Sequence, residues 1–448
     1  MKRWQPFWLL LPLLALSMLL LDAQVGLAAD QVPPPTPSEE AADGALAALP
    51  DADNLTFLAA IFNPRPLEVE VRALWVTRFD WTSFGQPASR AKIDEIVANA
   101  AYAGFNTIYF QVRGTADAYY TPGLEPWAQR VSGGSLGDPP PDATFDPLAY
   151  FVEQAHAANI QLHAYLNIYP VWDCGSVPPA TTPTHLYYQL QNEHGSSFGR
   201  NHGLQWSTSY VVHCAGYQRG TPASIFLDDH LMAVANDLVD RYAIDGIHLD
   251  HIRYGGSNVS CDPVSEARYG LNCFGDGNYG EWQRAQVNGT VNRFYNDVVL
   301  PNQGIWLSAA VWPIYQDYWS WGGAEGYFNY FQDSKRWIAE GYIDSISPMI
   351  YPSTFSCPYN GFWTLAKWET LVADFQAGAN GRYIIPGIGA GYCTFDEILN
   401  RINAARAIGT AGHAIFSYSG LLSGAYFDDL RNGPYANPAV VPPITWHQ

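Results

Sequence analysis

Residues 245–254 read DGIHLDHIRY, and this segment decides the fold. A short, mostly apolar run follows Asp245 and ends at a second acid, Asp250. Arg253 and Tyr254 come shortly after it. In a (β/α)8 barrel the chemistry lies at the C-terminal ends of the strands, so an acid in this position is typical of a catalytic group. The structural alternative is an Asp that caps the next loop. We interpret Asp250 as catalytic because the rest of the chain supplies the other strands of such a barrel.

Seven further segments follow the same pattern, each an apolar, β-branched or aromatic run that ends in polar and aromatic residues. Apolar residues at a spacing of three to four, as in 93–100 and 148–155, predict amphipathic helices between them. Nearly continuous apolar strands suit a parallel sheet covered by helices. The sequence therefore predicts a TIM barrel with long βα loops over residues 67–431, with an open doubly wound sheet as the alternative. No glycine-rich phosphate loop follows the first strand, which disfavours that alternative. The predicted strands are Val71–Phe79, Thr107–Val112, Leu162–Leu166, Ile305–Val311, Ser345–Ile350, Tyr383–Ile388 and Ala414–Tyr418.

The two ends of the chain differ from the barrel in composition. A basic start precedes the apolar run Phe7–Leu21 and small residues at 26–28, the pattern of a cleaved export signal over residues 1–28. The run is short for a membrane span, so an uncleaved anchor is the second choice. Residues 29–66 are rich in Pro and Ala and predict a flexible linker, and residues 432–448 form a Pro-rich tail. We expect an extracytoplasmic protein with no membrane partner after signal cleavage.

The charge and the aromatic content of the chain limit the classes of ligand that it is expected to bind. With 42 acidic and 23 basic residues the net charge is −19, which disfavours nucleic acid and anionic membranes. Aromatic residues make up 15% of the chain, and many Trp follow predicted strands. Flat aromatic faces pack on sugar rings while polar neighbours bind the hydroxyls, so the set predicts a sugar cleft, although each Trp alone could serve loop packing. These Trp are Trp81, Trp127, Trp172, Trp312, Trp319, Trp321 and Trp363.

Six cysteines after an export signal predict disulfides, and all six lie in loops on the catalytic face of the barrel. Local pairs that staple these loops are preferred among the fifteen possible pairings. No short Cys-x-x-Cys or His-x-x-x-His spacing is present, so we predict no metal site, and nothing in the chain requires a cofactor. The preferred pairs are Cys174 with Cys214, Cys261 with Cys273, and Cys357 with Cys393.

Six segments in a fixed order carry a family resemblance: ALWVTRFDW, GFNTIYFQVRGTADAYY, DPLAYFVEQAHAANIQLHAYLNIYPVW, YAIDGIHLDHIRY, IDSISPMIYPS and IFSYSGL. Together they resemble glycosyl-hydrolase-like family 10, a bacterial group of (β/α)8-barrel proteins, some of which cleave glycan strands of the cell wall. The resemblance covers residues 70–422. It implies that five residues line the active cleft, namely Arg113, Asp117, Asn167, Asp250 and Tyr351.

The strand that ends at Asp250, the fourth of the eight predicted strands, departs from the family pattern. Family members commonly read Asp-Asp-Tyr where this chain has Asp250, His251 and Ile252, so the second carboxylate of that strand is missing. A looser resemblance to chitinase-type barrels fails at the same strand, because His248 replaces the middle acid and Ile252 stands where the catalytic Glu would be. The substrate-assisted mechanism of that group is therefore not supported.

Glycoside hydrolysis usually needs one carboxyl group to protonate the leaving oxygen and another to attack or to activate water. We predict Asp250 as the nucleophile or base, held ionised by Arg253 or Arg113. Asp117 is the first choice for the acid. Asp80 and Asp317 are the alternatives, and each of these three could instead cap a loop or bind a sugar hydroxyl.

The sequence thus predicts an exported glycosidase acting on a polysaccharide, with bacterial cell-wall glycan or a related amino-sugar polymer as first choice. The alternative is a noncatalytic glycan-binding protein, which a cleft with Asp250 alone would favour. His163 and His248 lie inside strands and are interpreted as core residues. The predicted substrate contacts are Asp80, Trp81, Arg113, Asn167, Tyr169, His251, Arg253, Trp312, Asp317 and Tyr351.

Overall fold

The structure of the protein is a computed structural model that describes residues 67–447. The predicted export signal (1–28) and linker (29–66) lie outside the described residues. Within the described part of the chain, no helix is both long enough and apolar enough to cross a membrane.

Eight parallel strands form a closed barrel in which each strand pairs with its neighbours in chain order. The prediction of a TIM barrel is confirmed. The strands are β1 Val71–Val76, β2 Thr107–Arg113, β3 Gln161–Asn167, β4 Gly246–Asp250, β5 Trp306–Val311, β6 Ser345–Pro348, β7 (Tyr383–Ile384 and Gly387–Gly389) and β8 Gly412–Phe416.

The barrel closes through β7, which is made of two short pieces. The first piece pairs with β6 and the second with β8. Between them the Ile385 N–H donates to the Ile346 carbonyl, and the Pro386 carbonyl accepts from the Ala414 N–H, both at 3.0 Å. The backbone ladder thus passes from one neighbour to the other across the break.

Helices cover the outside of the barrel and bury an apolar stripe against it. In the helix after β1, Ile93, Ile96, Val97 and Ala100 are all buried, as the spacing predicts. The longer helices are Arg90–Ala103, Pro147–Ala157, Ile225–Arg241, Tyr279–Arg293 (continued by the π-helix Phe294–Val299), Leu365–Ala377 and Phe395–Ile408. Shorter ones are Arg78–Trp81, Gln129–Ser132, Leu186–His194, Pro263–Tyr269, the 3-10 turn Cys273–Gly275, Gly326–Asn329, Ser334–Ala339, Tyr418–Gly424 and Phe427–Asn432.

The barrel interior is filled by large side chains from alternate strand positions. His248 lies at its centre, where its Nε2 accepts from the Trp75 indole N–H at 3.0 Å and its Nδ1 lies 2.8 Å from the Ser308 hydroxyl. The Tyr109 ring stacks on the imidazole at 4.0 Å. Burial lowers the pKa of His248 to about 3, so the ring is neutral at physiological pH. This is the core histidine that the sequence predicts.

The loop after β3 carries a small sheet of its own. Pro170–Asp173 pairs with Tyr217–Arg219, which pairs with Cys214–Ala215, and both pairings are antiparallel. A two-stranded hairpin of Ser196–Ser197 and Arg200–Asn201 lies in the chain between the first strand of this sheet and the other two. All three preferred disulfides are present, and the pair Cys174–Cys214 closes this sheet.

The Pro-rich tail returns to the N-terminal end of the barrel. Ala439–Val440 pairs in parallel with Glu68–Val69, directly before β1. Further along, the indole N–H of Trp446 donates to Asp344, the residue before β6, at 2.7 Å. The tail therefore covers the end of the barrel opposite to the loops after the strands.

The first predicted strand is too long. Val71–Phe79 was expected to be extended, but the strand ends at Val76 and residues 78–81 form a helical turn. Asp80 causes the change, because its carboxylate accepts from both the backbone N–H and the hydroxyl of Thr77 and so caps the turn.

Candidate active site

Asp250 lies at the C-terminal end of β4, on the floor of a cavity in the barrel mouth. Its Oδ2 accepts from the Tyr165 hydroxyl at 2.7 Å, and its Oδ1 accepts from the His251 backbone N–H at 2.5 Å. The Arg253 guanidinium is 3.3 Å from Oδ1. Burial alone raises the pKa of Asp250, but the electrostatic effect of the neighbouring His251 and Arg253 side chains and these hydrogen bonds outweigh it and hold the pKa well below its usual range. Asp250 is therefore an ionised carboxylate.

His251 directly follows Asp250 in a left-handed backbone conformation, with φ near 49°. Such a conformation is uncommon for a residue with a Cβ, and strained backbone of this kind clusters at active sites and ligand clamps. Burial lowers the pKa of His251 to about 3, which the nearby arginines reinforce, so the imidazole is neutral. Its ring meets the Tyr217 ring edge-on at 5.5 Å.

The cavity above Asp250 has a volume of about 470 Å³, within the range of ligand pockets. Asn167 lies in its wall with a buried Oδ1 that has no partner among residues 67–447. An unpaired buried acceptor is costly and is satisfied when a donor such as a sugar hydroxyl arrives. Asp250 is the only acid of this lining, whose other members include Trp75, Thr77, Arg78, Phe79, Gln111, Tyr165, Tyr217, His251, Arg253, Tyr351 and Phe416.

A second cavity of about 380 Å³ adjoins the first and contains the other predicted acid, Asp117. Arg78, Phe79 and Tyr217 line both cavities. The Arg78 guanidinium donates to the Tyr217 hydroxyl at 2.8 Å, and we call this pair the Arg78–Tyr217 bridge. The two carboxylates thus lie on the two sides of one bridge.

Asp117 is buried, and its Oδ1 accepts from the backbone N–H groups of Gly114 (3.2 Å) and Thr115 (2.7 Å). One oxygen therefore caps its own loop, as the structural alternative expects. Burial raises the pKa of Asp117, although the Arg78 charge opposes the rise. A raised pKa is what a general acid needs to hold a proton near neutral pH.

Six predicted contacts line neither cavity. Arg113 is 0% exposed, forms an ion pair with Glu125 at 2.7 Å, and donates to the carbonyls of Asn167 and Ile168. It positions the end of β3 and does not face the cleft. Tyr169 is buried, and its hydroxyl donates to Thr290 at 2.9 Å.

Asp80 and Trp81 are also internal. The Asp80 Oδ1 accepts from the Ser417 hydroxyl and the Ser419 N–H at 3.0 and 2.9 Å, so this carboxylate fastens the end of β1 to the end of β8. The Trp81 ring packs on Phe110 at 5.2 Å in the apolar core.

Trp312 and Asp317 follow β5. The Trp312 ring lies 5.5 Å from the Arg253 guanidinium and its N–H donates to the Ala324 carbonyl, so it supports the site from the side. The Asp317 carboxylate accepts from the Gly322 N–H at 2.7 Å and caps its own loop.

Sequence reasoning missed Arg78, Gln111, Tyr165 and Tyr217. For one of these, Tyr165, a signal exists, because alternate strand residues share a face. Tyr165 precedes Asn167 by two positions on β3, so a period-two count places both toward the cavity. No comparable signal marks Tyr217, which the disulfide-closed sheet brings into the site.

Among the described residues, no three His, Cys, Asp or Glu side chains come together in a way that could hold a metal ion. The chemistry that the site offers is that of an ionised carboxylate, a buried second carboxyl group, and arginine and aromatic neighbours.

The eight-stranded parallel barrel places the protein in the class of TIM-barrel proteins. The PgaB (BpsB) glycoside hydrolase domain from Bordetella bronchiseptica has a similar fold, with a TM-score of 0.54, 13% sequence identity, and coverage of 82% of this chain and 98% of that one. Alpha-L-fucosidase isoenzyme 2 from Paenibacillus thiaminolyticus has a TM-score of 0.51 and 14% identity, covering 82% and 49%. At this identity the likeness concerns the fold alone.

The chain belongs to the glycosyl hydrolase-like 10 family, whose model matches residues 70–376. It is 25% identical over 407 residues to the glycosyl hydrolase YngK of Bacillus subtilis (strain 168), covering 84% of this chain and 74% of that protein. It is 26% identical over 325 residues to the glycosyl hydrolase DigH of Escherichia coli (strain K12), covering 66% and 69%. The predicted family and the prediction of a glycosidase with a carbohydrate substrate are confirmed.

Proposed function

We propose that the protein is an exported glycosidase that cleaves glycosidic bonds within a polysaccharide, with bacterial cell-wall glycan or a related amino-sugar polymer as first choice. The observation that carries this proposal is the ionised Asp250 at a strand end, beneath a cavity with aromatic and polar walls. Membership in a family of glycosyl hydrolase-like proteins supports the reaction class.

Asp250 acts as the nucleophile or as the base that activates water. The Tyr165 hydroxyl and the Arg253 guanidinium keep its charge in place and orient its oxygens. A positive charge develops on the sugar ring in the transition state, and a fixed carboxylate stabilises it.

Asp117 acts as the acid that protonates the leaving oxygen. Its burial and raised pKa favour the protonated form that this role requires. In this arrangement the glycan crosses the Arg78–Tyr217 bridge, with one sugar in each cavity and the scissile bond between them.

Export is part of the proposal. Three disulfides in one chain are typical of an oxidising compartment, which supports the predicted signal at residues 1–28. The mature chain should begin near Ala29 or Asp30, as the mass of the intact secreted protein would show. Recovery of Phe7–Leu21 in the membrane fraction would contradict cleavage.

The main test is a screen of defined glycans with the purified protein, read by the release of reducing ends and by mass spectrometry of the products. Hydrolysis of an amino-sugar polymer is expected. Tight binding of such a polymer without turnover would favour a glycan-binding protein and overturn the catalytic proposal.

A second test addresses the acid. Asp117→Asn should lose on the order of 10²-fold or more in kcat on a natural glycan, but far less on an aryl glycoside whose leaving group needs no protonation. Asp173→Asn, which makes the same substitution in the lining of the same cavity, is the matched control. Equal losses on both substrates would remove Asp117 from the acid role.

A further inference from the structure

Arg78 is a buried cation with almost no partner in the protein. Only 7% of the residue is exposed, and none of the acids in the described range comes within 4.0 Å of its guanidinium. The single hydrogen bond of the guanidinium goes to the Tyr217 hydroxyl. A guanidinium has five N–H donors, so most of the donors of Arg78 are available to a ligand in the two cavities that it lines.

Two other buried arginines of the barrel, in contrast, form ion pairs within the protein. Arg72 donates to Glu68, Glu70 and the Asn437 carbonyl. Arg113 holds Glu125 through two nitrogens and donates to two carbonyls. The missing partner of Arg78 is therefore expected to come from outside the chain.

The cationic groups around Asp250 outnumber the acids. Arg78 and Arg253 line its cavity against one carboxylate. The buried Arg219, whose guanidinium lies 5.8 Å from the Tyr217 ring, donates only to backbone carbonyls. In the second cavity, Arg78 and Arg130 are matched by Asp117 and Asp173. The unmatched positive charge of the first cavity, in a chain with a net charge of −19, favours an anionic ligand there.

The donors at the bridge suit a carboxylate. The free nitrogens of Arg78 form a planar fork that matches two carboxylate oxygens. Tyr217 accepts from Arg78 and keeps its own O–H as a further donor toward the cavities. The neutral His251 and the partnerless Asn167 oxygen bring no negative charge to the site.

We propose that the Arg78–Tyr217 bridge is a subsite for a carboxylate carried by the sugar next to the scissile bond, so that the enzyme selects an acidic glycan. This inference rests on the proposed function and deepens it, because it names a chemical requirement of the substrate. The bridge separates the two cavities, so a carboxylate bound there fixes the register of the glycan over Asp250 and Asp117.

The experiment compares one polymer in two forms. Peptide-free cell-wall glycan strands, in which every second sugar has a lactyl carboxylate, are used as such and after chemical reduction of that carboxylate to an alcohol. The expected kcat/KM of the unmodified enzyme is at least about 10-fold higher on the carboxylate form, since a charge-assisted pair contributes roughly that factor or more. Arg78→Gln should bring the ratio close to one, chiefly through KM, and Arg78→Lys should restore part of it.

Controls separate the subsite from general electrostatics and from folding. Arg293→Gln removes one positive charge from an outer helix, where Arg293 pairs with Asp229 and Asp297, and should leave the ratio unchanged. Tyr217→Phe keeps the ring but removes the hydroxyl, and should lower the ratio less than Arg78→Gln.

Binding to an Asp250→Asn variant, measured by calorimetry, distinguishes the two proposals. Preferential binding of the carboxylate form without hydrolysis by the unmodified enzyme would support the subsite and overturn the proposed function. Equal cleavage of both forms would overturn the subsite and leave the proposed function in place. Absence of binding to either form would also overturn the subsite.

Discussion

The two ends of the barrel treat their charged groups in opposite ways. At the N-terminal end, Glu70 accepts from Arg72 at 3.0 Å and from Arg406 at 2.9 and 2.8 Å. Asp344 there accepts from the Leu307 N–H and from Trp446, both at 2.7 Å. These buried charged groups are held by partners from the protein itself.

At the C-terminal end, some polar groups have hydrogen-bonding capacity that the protein does not use. Arg78 has one hydrogen bond from its guanidinium, and Asn167 has an unpaired buried oxygen. Buried polar groups without partners lower stability and are kept where a ligand completes them. One end of the same barrel is thus arranged for stability and the other for binding and chemistry.

The largest effect should come from Asp250→Asn, which tests the C-terminal end. Turnover of a confirmed substrate should fall on the order of 10² to 10⁴-fold, because the charge is lost while the shape is kept. Asp245→Asn, at the other end of β4, is the control and should keep its turnover. Near-normal hydrolysis by Asp250→Asn would show that another carboxylate is the catalyst.

The next effect concerns stability, and it tests the N-terminal end. Glu70→Gln should lower the free energy of unfolding by roughly 3 kcal/mol, because the buried Arg72 and the more exposed Arg406 lose a charged partner. Denaturant unfolding measures this, with little change expected for the exposed Asp142→Asn, whose partner is Arg90. Turnover by folded Glu70→Gln should be unchanged. A stability loss no greater than that of Asp142→Asn would contradict the comparison.

The effect of Glu70 should depend on pH in a defined direction. Burial raises its pKa, but the hydrogen bond from Arg406 and the surrounding charges outweigh this and lower the pKa to about 2, from 4.5 in an unfolded chain. A lowered folded pKa gives stability that is present above pH 4.5 and is lost as the pH falls toward 2. The difference between Glu70→Gln and the unmodified protein should therefore shrink below pH 4.5. A constant difference from pH 7 to pH 3.5 would show that charge is not its cause.

A matched pair of arginine substitutions sharpens the contrast. Arg78→Met removes a poorly partnered cation and should leave the free energy of unfolding unchanged or raise it by about 1 kcal/mol. Arg72→Met leaves Glu70 with one arginine fewer and should be clearly destabilising. Thermal unfolding of both variants gives the comparison, and equal destabilisation would mean that Arg78 is a structural residue.

The smallest effect is expected from Asp317→Asn. This acid caps an external loop after β5, so its amide form should change turnover by less than about 2-fold. A loss as large as that of Asp250→Asn would move the acid role to Asp317.

The barrel could be predicted from the sequence because its signals are local. Apolar runs and three-to-four spacing mark the strands and helices, and the position of each cysteine in a strand-following loop gave the disulfide pairs. The site was harder to predict, because position after a strand does not tell which way a side chain points. Arg113 and Tyr169 follow strands and face inward to other partners, whereas Tyr217 reaches the site from a distant part of a long loop.

Strand β7 is joined to its neighbours by few paired residues, two with β6 and three with β8, whereas β3 and β4 share five pairs. It is fastened at both ends by other means: Cys357–Cys393 joins the loops that follow β6 and β7, and the Tyr383 hydroxyl donates to the Pro443 carbonyl of the tail. Local opening should therefore begin here, and the amide protons of β7 should exchange with solvent before those of β3 and β4. Native-state hydrogen exchange would then show β7 separating locally from its neighbours. The disulfide at the C-terminal end of the barrel and the hydrogen bond to the tail at the N-terminal end would limit this separation.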